Sequence, residues 1–449
     1  MEKLSLACGR AGMIAKIFTP QRHKVHKEEL IKLCVLCAFV VKFGCLMALP
    51  ALGGPLGQNG LADSLKYHLV KNGFENVAVV LEDRHVIVTY ENRIYRHEIR
   101  AAQEVMALLA SLLKEGMKIT LIPQNRKIPL VAISLSPDDY PALANGKASH
   151  SNFFSRPEVS LDVDPVWKKV RALPKANSSS WKFDLVVHPQ VKAQFGKRSD
   201  PVESQINLAP ELNVLLWKGM SISAQWIIPL QNQLVEEGGP ASLQNQHRKE
   251  GNFTRPGLLT LNQIFRAPKN TVISATLGYF TQHRYGADTE IKKHFFNGRA
   301  SLGANLGYTG YAAYLKGVWS YSTIDLITAL VNAECRLSRF DLSLRATYGK
   351  FLERDKGWRI DIRRQFSETD IGFFVSNTGA GTNGGFNFSL PIFPSKHLPP
   401  GPIRARTASY FPWEYRYWGD LDSATRYNTG NPIEAFMKRL NPDYIKNQW

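Results

Sequence analysis

Between Lys182 and Ile392 apolar and polar residues alternate almost without interruption. A period of two confines such a chain to extended strands with two unlike faces. In "FDLSLRATYGKF", Phe340, Leu342, Leu344, Ala346 and Tyr348 share one face, and Asp341, Ser343, Arg345, Thr347 and Gly349 share the other. "GMSISAQWII", "TVISATLGYF", "ASLGANLGY" and "VNAECRL" repeat the pattern, and "WRIDIRRQF" and "GFNFSLPIF" extend it. The spacing predicts roughly twelve to fourteen strands, many of about nine to eleven residues, which is the length a tilted strand needs to cross a bilayer. Strands of a soluble sandwich run nearer five or six residues.

Which solvent lies on each side is the decisive question. A soluble sheet packs its apolar face on a core, whereas a transmembrane barrel turns that face to lipid and its polar face to a wet interior. Aromatic residues recur near the strand ends (Trp226, Tyr279, Tyr308, Trp319, Tyr321, Tyr348, Trp358), as interfacial girdles require. The opposite face carries charged and small residues. The expected fold is therefore mainly β, an antiparallel transmembrane β-barrel over residues 181–393 preceded by a small α/β domain. Arg364 falls on the apolar side of "WRIDIRRQF", close enough to the strand end to be placed at the head-group boundary.

In this register the candidate lumen-facing charges are Asp288, Glu290, Lys292, Glu334, Arg336, Asp341, Arg345, Arg359, Asp361 and Arg363. Arg336, Arg345, Arg359 and Arg363 either set a field that guides an acidic glycan, or pair with Glu334, Asp341 and Asp361 and plug the interior. Asp288 with Glu290, or Asp341 with Asp361, could also be offered as a glycosidase pair, but solvated interior charges account for them better. No nucleophile elbow, zinc-protease helix, phosphate loop or Cys/His metal spacing is present, so the reading is non-enzymatic, with no catalytic, cofactor-binding or metal residues and no cofactor. "NTGAGTNGG" lies between strands and lacks the lysine and helix of a phosphate loop; it reads as a flexible hairpin.

The net charge of +18 calls for an anionic partner. Nucleic acid is not expected, because no zinc finger, aromatic RNA-binding motif or helix-turn-helix pattern occurs. Four of the five cysteines precede residue 46, which rules out a disulfide framework within the body of the chain. Cys34 and Cys37 sit in the apolar run "LCVLCAFVV", preceded by Arg22, Lys24, Lys27 and Lys32. Residues 1–53 read as a secretory signal peptide, with a start site placed too far upstream. Lys42 divides the apolar run, against a tilted anchor, and lies three residues before Cys45, against lipidation there.

Residues 60–136 read as the small α/β domain, expected in the periplasm. "LADSLKYHLVKNGF" is helical by spacing, with Gly73 as its stop, and "RAAQEVMALLASLLKEG" is an amphipathic helix. Short strands flank turns at Asp83-Arg84 and Asn125-Arg126. Residues 137–180, rich in Pro, Ser, Asn and Asp, read as a linker. After Phe393 the alternation stops, so residues 394–449 are expected to form a periplasmic tail with a short helix begun by Asn431-Pro432.

"GYFTQHRYGADTEIKKHFFNGRASLGANLGYTG", "RPGLLTLNQIFR", "GFENVAVVLEDRHVIVTYENRIYRHEI" and the long run from "RFDLSLRATYGKF" to "GGFNFSLPIFP" resemble the YjbH family of outer-membrane barrel proteins associated with exopolysaccharide and capsule production. The resemblance covers most of the chain from Gly60 to Pro394. It implies a place in the cell outer membrane and a part in secretion or surface assembly of a polysaccharide. Its partners would be outer-membrane lipid, an acidic or neutral exopolysaccharide and other polysaccharide-export proteins. It brings no catalytic residues. Members are often lipoproteins and longer ones carry two barrel modules, and the chain departs from both. A general porin or solute channel and a soluble glycan-binding β-sandwich are the alternatives.

Overall fold

The computed structural model describes residues 59–113, 116–136, 157–195, 202–234, 250–417 and 423–449. The expected signal peptide, Cys34, Cys37 and Cys45 lie outside them.

The small domain begins with α1 (Asn59–Lys71). Leu65 and Leu69, one helical turn apart, are fully buried, and the helix ends before Gly73. That glycine has φ +89°, and a Cβ on it would stand 2.7 Å from Ile94 Cδ1, so both conformation and space call for glycine. β1 (Glu75–Glu82) and β2 (His85–Glu91) form the expected hairpin. α2 (Glu98–Leu112) buries Ile99, Val105, Met106 and Leu109 and crosses to β3 (Lys118–Asn125), which pairs parallel with β2. β4 (Ile128–Pro129) and β5 (Ala132–Leu135) follow.

The expected linker is only partly one. Residues 137–156 lie outside the described set, but Glu158–Ser160 forms β6, pairing with β5, and Asp164–Val170 forms α3. A three-residue strand is too short to display a period, and the Asp164-Pro165 helix start was hidden in a polar, proline-containing run. The small sheet has six strands in the order β1-β2-β3-β5-β6, with β4 on β3.

The second sheet has fifteen strands. Its long antiparallel series comprises β7 (Phe183–Phe195), β8 (Val202–Trp217), β9 (Met220–Asn232), β10 (Arg255–Ala267), β11 (Thr271–Phe280) and β12 (Arg284–Phe295). It continues through β13 (Ala300–Leu315), β15 (Leu326–Leu337), β16 (Leu342–Lys350), β17 (Lys356–Phe366), β18 (Thr369–Thr378) and β19 (Gly381–Pro391), while β14 (Val318–Tyr321) folds back on β13. Most of the Gly-rich stretch after Asn377 thus belongs to β18 and β19, and only Gly379-Ala380 makes the turn.

The sheet does not end at Phe393 as expected. β20 (Ile403–Thr407) pairs parallel with β7, and β21 (Tyr410–Arg416) pairs antiparallel with β19. Ala408 and Ser409 join them: Ala408 N donates to Val187 O at 2.9 Å and Ile392 N donates to Ser409 O at 3.0 Å. The two halves are short, five and seven residues, and follow a proline-rich run, which hid their period.

Burial along these strands is inverted relative to the small domain. In β18, Ile371, Phe373 and Val375 are exposed while Asp370 and Ser376 are buried. In β15, Ile327, Val331 and Leu337 are exposed while Thr328 and Arg336 are buried. The apolar face points outward.

Turns at one end of the large sheet meet the small domain. Gly219 N donates to Arg126 O at 2.9 Å. Arg266 donates to the carbonyls of Pro129 and Leu130 at 2.9 and 2.8 Å, and Asn297 binds Val159 O at 2.8 Å. The hydrophobic core of the domain runs on into Ile264 and Val272 of the sheet. It also takes in Ile433, Phe436, Met437, Tyr444 and Ile445 from two C-terminal helices, α4 (Ile433–Met437) and α5 (Pro442–Gln448), and Leu440 from the 3-10 turn between them.

Candidate functional site

The buried polar face is where the sequence-derived charges meet. Alternation puts Lys292 of β12, Glu334 of β15 and Arg345 of β16 on that face. Lys292 Nζ and Arg345 Nη2 each stand 2.7 Å from Glu334 Oε2. On β17, Arg359 grips Asp361 at 2.7 Å and reaches Glu414 of β21 at 2.8 Å, with its guanidinium 3.8 Å from the Phe374 ring centre. Arg336 pairs with Asp341 at 2.8 Å. Asp341 lies not in a strand but in the turn before β16, with φ +48°.

The remaining three candidates, Asp288, Glu290 and Arg363, bind the chain's own tail, and Arg345 reaches it as well. Tyr427 Oη donates to Asp288 Oδ2 at 2.6 Å, and Asn305 donates to the same carboxylate at 2.9 Å. Glu290 accepts a bond from Ile433 N at 2.8 Å, at the start of α4. Glu434 then bridges Arg345 and Arg363. All ten candidates lie at the polar side of one sheet and all have partners. Arg336, Arg345 and Arg359 pair with Asp341, Glu334 and Asp361, the acids named in the pairing alternative, while Arg363 pairs with Glu434 instead.

Residues 423–449 lie against this face along their length. Ser423 Oγ is 3.1 Å from Ser376 Oγ on β18, Asn431 Nδ2 is 3.4 Å from Thr260 Oγ1 on β10, and Asn447 donates to Ser338 O at 2.6 Å. The segment was expected to stand apart from the strands, and it does not. Gly307 makes room for it: a Cβ there would sit 1.7 Å from Tyr427 Oη. Small residues on the polar face were legible, but not what would fill the space they leave. Glu414, Tyr427 and Glu434 were missed because nothing local links them to partners 55 to 139 residues away.

The tail is also tied to the small domain. Arg126 hydrogen-bonds both Asn262 of β10, at 2.8 Å, and Asn431, at 2.6 Å; burial pulls its guanidinium down to about 10. His97 Nε2 lies 2.9 Å from Tyr444 Oη. Burial lowers that imidazole to about 4 and raises the neighbouring Glu98 carboxyl to about 7.

The family model for YjbH, described as exopolysaccharide biosynthesis protein YbjH, matches residues 19–391, well over half the chain. The chain belongs to the YjbH family. The matched region takes in the small domain and β7–β19, so the expected resemblance holds. Neither the curated proteins nor the solved structures contain a match.

Proposed function

We propose that this YjbH-family protein is an outer-membrane β-barrel that takes part, without catalysis, in the secretion or surface assembly of an exopolysaccharide. The inverted burial carries the reading. Soluble monomers rarely expose a continuous apolar patch beyond a few hundred Å², yet here Leu277, Leu302, Leu306, Val331, Leu344 and Phe373 are all at least 46% exposed on strands spread across the run from β11 to β18. Lipid is the solvent that makes such a face favourable, with charges gathered on the opposite side.

Closure into a barrel is supported by the stretch 403–416, which is hydrogen-bonded to β7 in its first half and to β19 in its second. Phe195 of β7 touches Trp413 and Tyr415 of β21 (ring centres 6.4 and 5.5 Å apart). Short turns gather at the end beside the small domain, whereas the β14 excursion extends the other, as barrels with short periplasmic turns and longer outer loops do. With the small domain on the periplasmic side, the tail fills the interior. That filling disfavours a general porin.

Two measurements test the reading. The protein should stay with the outer-membrane fraction through salt washes, require detergent for extraction and run faster on a gel before heating than after. A deletion strain should lose surface exopolysaccharide and regain it with the wild-type chain. A folded, monodisperse protein in plain buffer would overturn the membrane assignment, and unchanged surface polymer would overturn the role.

A further inference from the structure

A second polar feature lies away from the interior. On the small domain, Trp167 of α3 floors an open cleft of about 500 Å³ lined also by Lys127, Arg171, Lys175, Lys218 and Asn76. Four cations converge there, and among the described residues no carboxylate lines the cleft. Among the described residues none of the four makes an ion pair. The Lys175 and Lys218 ammonium groups sit 4.9 and 5.9 Å from the Trp167 ring centre, an arrangement that orients cations without cancelling their charge. Lys127 donates to Ser178 at 2.9 Å, a neutral partner. The nearest acids are already engaged: Glu75 holds Arg93 and Lys182, and Glu91 accepts from Asn76, Ser179 and the backbone of the Arg126-Lys127 turn.

That turn is costly. Arg126 and Lys127 have φ +51° and +62°, conformations in which glycine or asparagine is the ordinary choice. Arg126 uses its position to hold the sheet and the tail. Lys127, beside it, turns to the cleft. Burial lowers the Lys127 and Lys175 ammonium groups, and for Lys175 the cations Lys218 and Lys127 lower it further. An anion in the cleft would offset the cations that disfavour the charged form of Lys175.

We infer that the Trp167 cleft binds carboxylate-bearing sugars of an acidic polysaccharide, holding the chain against the small domain at the mouth of the large sheet. This rests on the exopolysaccharide role proposed above. The cations would take the carboxylates while the indole edge meets the sugar ring.

The test uses the full chain in neutral-lipid nanodiscs, titrated calorimetrically with oligogalacturonate, dextran oligosaccharide of equal length and inorganic phosphate, and then repeated in nanodiscs containing phosphatidylglycerol. Wild type should bind the oligogalacturonate in a salt-sensitive manner and ignore dextran. The triple variant Lys127→Gln, Lys175→Gln, Lys218→Gln should bind about tenfold more weakly with an unchanged melting temperature. Trp167→Leu, which keeps every charge, should also weaken binding. Equal binding by the triple variant, no binding by wild type, phosphate binding as tightly as the oligosaccharide, or abolition of binding by anionic lipid would each overturn the inference. The complementation assay separates the two readings. If the wild-type gene restores surface polymer while calorimetry shows no glycan at the cleft, only the inference falls; if it restores nothing, the broader role falls.

Discussion

The two sheets of this protein are built from the same residue types with opposite burial. In the small domain Val86, Val88, Ile119 and Leu121 are fully buried while Glu82, Asp83 and Arg84 are exposed. In the large sheet Val331, Leu306 and Ile362 face outward, while Arg359, Asp361 and Lys292 are buried. One chain therefore holds its own internal control. On the proposed reading the two sheets meet different solvents, because burial of apolar surface is favourable only against water.

The largest test of that contrast lies in the polar interior. Glu434→Ala leaves Arg345 and Arg363 without their shared partner and should cost about 3–5 kcal/mol in a denaturant titration of the detergent-solubilised protein. A loss under 1 kcal/mol would mean that these arginines are wet and the interior open. Next comes the apolar face. Val331→Arg, mid-strand on β15, should cost roughly 2–4 kcal/mol in liposomes, and no cost would show that lipid does not cover the face.

The small domain offers a pH signature. Glu98 has a folded-state pKa of about 7, raised by burial above its unfolded value. The contribution is fully present below the unfolded value, near 4.5, and is lost as pH rises through 7. His97, lowered to about 4 by burial, acts in the opposite sense over the same window. The readout is therefore the difference between wild type and Glu98→Gln, which should favour the variant by about 2 kcal/mol at pH 8 and vanish near pH 4. A pH-independent difference would place Glu98 in water. Smallest is Arg364→Leu. Arg364, exposed on the apolar side two residues from the end of β17, should change stability by only about 0–1 kcal/mol if it lies at the head-group boundary; a gain of several would put it within the hydrocarbon.

Much of this was legible because period two is a local signal. Leu342 to Lys350 of β16 show both faces to anyone reading nine residues, and once the register is set, Arg345 and Glu334 must lie side by side. The helices announced themselves similarly through Leu65 and Leu69. What local pattern cannot carry is a contact across the whole chain. Glu434 sits in a five-residue helix with no charged neighbour to mark it, and its partners lie on strands far upstream. Ile403 to Thr407 looks like a basic loop until β7 supplies its hydrogen-bond ladder. In β6 the whole strand is three residues, shorter than two periods of the pattern that would reveal it.

Asp184 and Arg404 are 220 residues apart and meet at 2.6 Å. The seam they help form joins the beginning of the large sheet to nearly its last strand, so it cannot be sewn while the polypeptide is still emerging. Until then eleven inter-strand ladders have an open flank at each side, and their greasy surface has no companion. Contacts of such long sequence separation form slowly, so this distant match is expected to follow the local hairpins.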